Sequence, residues 1–269
     1  MRSLYKYTLW RDYLNNKNSI VVYLYKLLLI IRKEKKMNKK WGYLRETKED
    51  AIKAGIDKKY NIGRTGLEEY LEVIFPEVKD WIHDKTTGIY LDDKKFNGRP
   101  DYRSEKLKMI IEFDGLPHYK NPDVIINDEF KNTIYKEAGY KVIRIPYFIQ
   151  LSNDVVEKLF GVKIKEKLFD ERIPSLGIKS RNTPAYLCPM GIRRMAIDFV
   201  NISMEQYNIN INALLKEVKE EVREKNEEED YVQLFTGIAD LKKEMSIVLE
   251  NNIKSVSYTH LRAHETELH

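Results

Sequence analysis

The sequence predicts an α/β domain built on a mixed sheet, and three observations carry that expectation. A segment with helical periodicity at 65–75 is followed by short strand candidates spaced through 89–114. A second helical segment at 123–138 then runs into a strand at 141–148. With 42% hydrophobic residues in 269, the chain can bury a sizeable core.

Taken in order, 41–60 reads as a short helical or irregular approach. The helix at 65–75 (TGLEEYLEVIF) puts Leu67, Tyr70, Leu71, Ile74 and Phe75 on one side and stops at Pro76. On that wheel Glu68 borders the apolar face, so it can look into a site beside the core, while Glu69 faces water. An edge strand is expected at 81–83. Ile89–Leu91 and Lys94–Phe96 form a hairpin around Asp92-Asp93, and strands follow at 102–104 and 108–114. Asp123 is the expected cap of the next helix and Gly139 its stop. A short helix is expected at 153–160, a long loop at 173–184, and helices at 188–203 and 212–229. The last is so charged that it reads as a solvated or partner-facing helix.

Charge is uneven along the chain. Residues 1–60 carry 16 Lys/Arg against 6 Asp/Glu, 61–200 carry 23 against 22, and 201–269 carry 8 against 14. A basic first quarter suits contact with a phosphate backbone. The apolar run Ile20–Ile31 has 12 residues with Lys26 inside it, short of the roughly 20 that a membrane span needs, so no membrane partner is expected. The lone Cys188 excludes a disulfide framework and a multi-cysteine zinc site, and fits a reducing cytoplasm. Met37 opens an ordinary-looking start. Residues 255–269 (SVSYTHLRAHETELH) resemble translated adaptor read-through, so His260, His264 and His269 are set aside. The organisation expected is a basic arm at 1–60, a core at 61–162, an appended loop and helix at 163–207, a charged helical region at 208–254, and the tail at 255–269.

The chemistry concentrates in Arg99–Tyr119 (RPDYRSEKLKMIIEFDGLPHY). Alternation along a strand at 108–114 puts Ile110, Glu112 and Asp114 on one face. Two acids projected from an apolar strand are costly unless a cation or solvent receives them. With an even number of residues in the intervening turn, Asp101 falls on the same face as Glu112, about 5 Å away if opposed and 7–8 Å if diagonal. Either spacing lets the pair clamp a hard cation such as Mg2+ (or Mn2+), which prefers carboxylate oxygens. Such an ion lowers the pKa of a water it holds and stabilises charge building on a phosphate. His118 is the expected general base.

These residues resemble a known pattern. Pro100-Asp101 followed by a strand with Glu112 is similar to the PD-(D/E)xK nuclease superfamily, and closer to its branch related to the very-short-patch mismatch-repair endonuclease. Small domains of that branch read Arg-x-Asp, then acid-x-Asp-Gly-x-x-His, then a helix and an arginine-bearing strand. Arg99-Pro100-Asp101, Glu112-Phe113-Asp114-Gly115 and His118 match, and Asp128, Lys131, Asn132, Gly139 and Arg144 agree loosely. The resemblance spans about 64–151. It implies a restriction-endonuclease-like core and a Mg2+- or Mn2+-dependent endonuclease acting on DNA in repair, restriction or mobile-element processing, in a prokaryotic or phage setting. Asp101 and Glu112 would be the metal ligands, Asp114 would assist, and Glu68 would be the helix acid. Arg99, Lys120, Lys131 and Arg144 would contact nucleic acid. The superfamily's lysine is replaced by Asp114, which the branch offsets with its histidine. That replacement motivates the alternative, a catalytically inactive nuclease fold serving as a nucleic-acid-binding or assembly module. A homodimer or protein partner would use the C-terminal helices.

Overall fold

The computed structural model describes residues 40–225 and 231–266. The basic arm up to residue 39, with the alternative start at Met37, lies outside the described residues. The order is β1 (Tyr43–Arg45), α1 (Lys48–Ala54), β2 (Arg64–Gly66), α2 (Leu67–Ile74), β3 (Ile82–His83), β4 (Tyr90–Leu91), β5 (Lys94–Lys95), β6 (Tyr102–Ser104) and β7 (Met109–Asp114). Then come α3 (Pro117–Lys120), α4 (Pro122–Glu137), β8 (Lys141–Pro146), α5 (Asn153–Phe160), α6 (Pro189–Ile202), α7 (Met204–Lys225) and α8 (Val232–Thr266). The fold is α/β with a mixed sheet, as the sequence predicts. Four strands run in the order β3-β6-β7-β8, antiparallel except for the parallel pair β7/β8. β1 and β2 form a separate parallel pair, and β4/β5 is the expected hairpin around Asp92-Asp93. Among the described residues, no helix is long and apolar enough to cross a membrane.

The central sheet has two unlike faces. Tyr102, Met109, Ile111, Ile143 and Ile145 point into the main core with Leu67, Tyr70, Leu71 and Ile74 of α2. On the other face Ile110 packs with Tyr135 of α4 and Tyr140. α4 starts one residue earlier than expected. Asn121, not Asp123, is its cap: the side chain accepts from the Asp123 amide at 3.0 Å, and Pro122 takes the first helical position, where no amide donor is needed. Ser152 caps α5 in the same way, and Gly161 ends it in the left-handed region at φ 73°.

The C-terminal third differs from its sequence reading. The charged helix begins at Met204 rather than 212, and its inner side is core. Tyr207, Ile211, Leu214 and Val218 join one apolar cluster that runs from Trp41 to Met245. High charge hid an amphipathic helix, because its apolar residues occupy a single stripe. α6 is docked more tightly. Ile192, Met195, Ala196 and Phe199 are buried, and the Tyr119 carbonyl accepts from the Cys188 amide at 3.3 Å. At Gly191 a Cβ would stand 1.6 Å from the Tyr119 carbonyl oxygen. Gly191→Ala is therefore expected to cost about 3 kcal/mol or more, because both sides of the clash are backbone. Chemical denaturation checks this, and an unchanged midpoint would mean that α6 does not sit against Tyr119.

Candidate active site

The turn between β6 and β7 holds four residues, Glu105–Lys108, and so sets an even register. Tyr102 pairs with Ile111 and Arg103 with Ile110. One step further, Asp101 stands opposite Glu112. The two are linked at the backbone as well: the Phe113 amide donates to Asp101 Oδ2 at 2.6 Å, and the Asp101 amide to Glu112 Oε2 at 3.3 Å. Glu112 in turn pairs with Arg144 on β8, so Asp101, Glu112 and Arg144 form one row across three strands on the α4 side. Glu112 is 7% exposed, and its Oε1 is buried without a hydrogen-bond partner among the described residues. Leaving such an oxygen unsatisfied costs about 1–3 kcal/mol.

Two residues along the same face, Asp114 enters a second cluster. Arg144 donates to both of its oxygens, at 2.7 Å from Nε and 2.6 Å from Nη2, and also reaches Asp128 Oδ1 and Asn132 Oδ1, both at 2.9 Å. Arg194 of α6 adds Nη2 to Asp114 Oδ2 at 2.5 Å and Nη1 to Asp128 Oδ2 at 2.7 Å. It also donates to the His118 carbonyl at 3.2 Å and lies over the Tyr119 ring. His118 Nδ1 is 2.8 Å from Asp128 Oδ2. One ligand atom each from Asp114, His118 and Asp128 lie within 4.8 Å of one another, so this group could hold a metal ion.

His118 sits on the turn α3 directly after β7, where Gly115 breaks the strand. With Nδ1 held by Asp128, its Nε2 makes no hydrogen bond among the described residues. The side chain is 28% exposed and borders a cavity of about 320 Å³, with Phe113, Leu116 and Pro117 on one side and Arg45, Glu46 and Asp50 on the other. The other expected residues fall as follows. Lys131, one turn after Asp128 on α4, is close enough to Glu112 to favour its ionised form. Lys120 is exposed, and Arg99 is exposed and pairs with Asp84 at 3.4 Å. Arg144 is not turned outward towards a nucleic acid, because three side chains of its own site hold its guanidinium. Glu68 does not join Asp101 and Glu112. Its oxygens accept from the Lys48 amide at 2.6 Å and the Tyr102 hydroxyl at 2.9 Å, which ties α1 to the opposite face of the sheet.

Sequence reasoning missed Arg194 and Glu46. Arg194 is 50 residues beyond Arg144, in a region without a local signal, and only the docking of α6 brings it in. Glu46, just after β1, exerts the largest repulsion on the Asp101 carboxylate.

The acids divide electrostatically into two sets. Burial pushes Asp101 up from 3.8 to about 6, helped by repulsion from Glu46 and Asp114. Burial, then the Asp101 charge, lifts Glu112 from 4.5 to about 7. Burial acts on Asp128 too, but the His118 hydrogen bond and the Arg144 charge outweigh it and hold Asp128 at about 2. Burial opposes the His118 imidazolium, yet Asp128 and Asp114 raise its pKa above 6.5. The Asp114/Asp128 set is thus charge-compensated, whereas among the described residues no cationic side chain bonds to Asp101 or Glu112, although the charges of Arg144 and Lys131 act on Glu112.

Raised carboxyl pKa values mean that the native state binds these protons more tightly than the unfolded chain. Their stabilisation is complete below about pH 4 and is lost as pH rises through 6 and 7. In chelator, the wild-type chain should lose on the order of 3 kcal/mol relative to an Asp101→Asn/Glu112→Gln variant between pH 5 and 8. Paired urea titrations at the two pH values measure that difference, and parallel curves would mean that the two carboxyls are not buried together. No family model, curated protein or solved structure matches the chain.

Proposed function

We propose that the chain is a divalent-cation-dependent endonuclease that hydrolyses DNA phosphodiester bonds on a restriction-endonuclease-like core. One observation carries the reading: Asp101 and Glu112 oppose each other with raised pKa values, and Glu112 keeps a buried oxygen without a partner among the described residues. Two carboxylates in that state are a hard-cation ligand set, suited to Mg2+ or Mn2+. When bound, such an ion supplies positive charge where a phosphate becomes more negative and makes water a better nucleophile.

The chain's own residues do the rest. His118 lines the cavity, is close enough for its charge to act on Asp101, and takes the proton of the attacking water. Asp128 holds Nδ1, which fixes the tautomer and stabilises the imidazolium that forms. Its raised pKa strengthens it as a base and requires a working pH high enough to keep it neutral. Lys131, beside Glu112, and the exposed Lys120 and Arg99 orient the phosphate backbone without reading bases. The position of α4 between the parallel strands β7 and β8 supports the same assignment, since ligands of such units gather at the carboxyl ends of the strands.

A binding module without catalysis is favoured by a different observation. Asp114 stands where the superfamily has its lysine, and both of its oxygens are held by guanidinium groups. Incubation of the full chain with supercoiled plasmid separates the two readings. The nuclease is expected to nick DNA with Mg2+ or Mn2+ and to stop in EDTA. Asp101→Ala should lose more than the ~10–100-fold typical of removing an outer partner of a metal site, with its circular dichroism unchanged. Undiminished nicking by that variant would sink the assignment. DNA binding that survives chelator, with no cutting at all, would favour the module. Cation binding displaces the protons on Asp101 and Glu112, so Mn2+ affinity should rise with pH, roughly tenfold per proton released per pH unit. Calorimetry at pH 5.5 and 7.5 tests this, and equal affinities would exclude the pair as ligands.

A further inference from the structure

The Asp114–His118–Asp128 group has the spacing of a metal site, yet its electrostatics differ from those of Asp101 and Glu112. All four carboxylate oxygens already have a cationic partner. Arg144 takes both Asp114 oxygens and Asp128 Oδ1, and Arg194 shares Asp114 Oδ2 and takes Asp128 Oδ2. Arg194 therefore bridges the two acids from the same side as His118 Nδ1, which is 2.8 Å from Asp128 Oδ2. Two carboxylates and two guanidinium groups balance, and a dication added among them would meet both arginines at contact distance.

Arg194 is also held in place. Its helix is anchored by the buried residues Ile192, Met195, Ala196 and Phe199 and by the backbone approach at Gly191. The Tyr119 hydroxyl donates to Asp198, one turn further along the same helix, at 2.7 Å. The Tyr119 ring and the His118 carbonyl receive the guanidinium from the other side. Swinging the side chain out would leave buried carboxylate charge uncompensated, which is strongly unfavourable.

We propose that Arg194 is the resident cation of the Asp114–His118–Asp128 triad, so that the chain takes one divalent ion, at Asp101 and Glu112, and loss of Arg194 turns the triad into a second metal site. The one-ion count rests on the nuclease reading above, whereas the role of Arg194 does not. Without Arg194, Asp128 Oδ2 and the His118 ring nitrogen border a gap beside Asp114 Oδ2, which keeps only its Arg144 Nε bond, and with His118 neutral one negative charge is in excess. Mixed oxygen and nitrogen donors suit Zn2+.

Zinc titration calorimetry on the full chain tests this without reference to cleavage. The histidines of the tail add the same background to every variant. Arg194→Ala and the bulkier Arg194→Gln should each bind one more zinc equivalent than wild type. The gain in affinity should be on the order of a hundredfold, the equivalent of relieving one unpaired buried charge. Adding His118→Ala to either variant should remove the extra equivalent, and millimolar guanidinium chloride should compete for it. In the wild-type background His118→Ala should leave zinc stoichiometry unchanged, a measurement that stands even if the Arg194 variants do not fold. A loss of one equivalent there, or wild-type stoichiometry in both folded Arg194 variants, would overturn the proposal. No ion bound by wild type with one bound by Arg194→Ala would support it while removing the cation site at Asp101 and Glu112.

Discussion

The register of the β6–β7 hairpin is the constraint on which the candidate site depends. Four turn residues, with Lys108 in the left-handed region at φ 48°, return the chain so that Asp101 faces Glu112. A slip of one residue would send Asp101 to the opposite face of the sheet. The turn is locked from several directions. Ser104 Oγ accepts from the Leu107 amide and donates to Asp80, while Glu105 accepts from the Tyr140 hydroxyl and pairs with Arg103 and Lys108. A polar site is thus positioned by contacts nearly a strand's length away from it.

The same sheet face supports two acid pairs with opposite electrostatic fates. Asp114 and Asp128 are met by two arginines, each delivered by an element with its own reason to be there. Arg144 comes from β8, in register with Glu112, and Arg194 from α6, docked through Gly191 and a row of buried apolar residues. Among the described residues, Asp101 and Glu112 receive no such partner, although Glu112 is buried and Asp101 partly so. In the function proposed above, the compensated pair mounts His118 rigidly and the uncompensated pair is the cation ligand set. Because Arg194 comes from the C-terminal region, the site is a property of the chain from Trp41 to α6 rather than of the segment that carries the motif.

Much of the site is legible in the sequence because its logic is local. Strand alternation places Glu112 and Asp114, turn length places Asp101, and a helical turn relates Asp128 to Lys131 and Asn132. Glu68 shows the limit of such reasoning: the helical wheel puts it at the border of the core correctly, but not which face of the sheet that border adjoins. Arg144 shows another limit. An arginine on a strand beside a nuclease-like motif reads as a phosphate contact until the positions of Asp114 and Asp128 are known.

By itself, then, the sequence determined the α/β class, the order of the main elements, and the strand that carries two acids on one face, because periodicity, capping and turn chemistry act over a few residues. It also determined that no disulfide supports the fold, having a single cysteine. Only the tertiary structure decided which acids are compensated. Compensation depends on guanidinium groups 30 and 80 residues from Asp114, brought in by strand pairing and by the docking of α6, and no local pattern encodes those distances. The same holds for the charged helix at 204–225, whose apolar stripe has meaning only once the surface it covers exists.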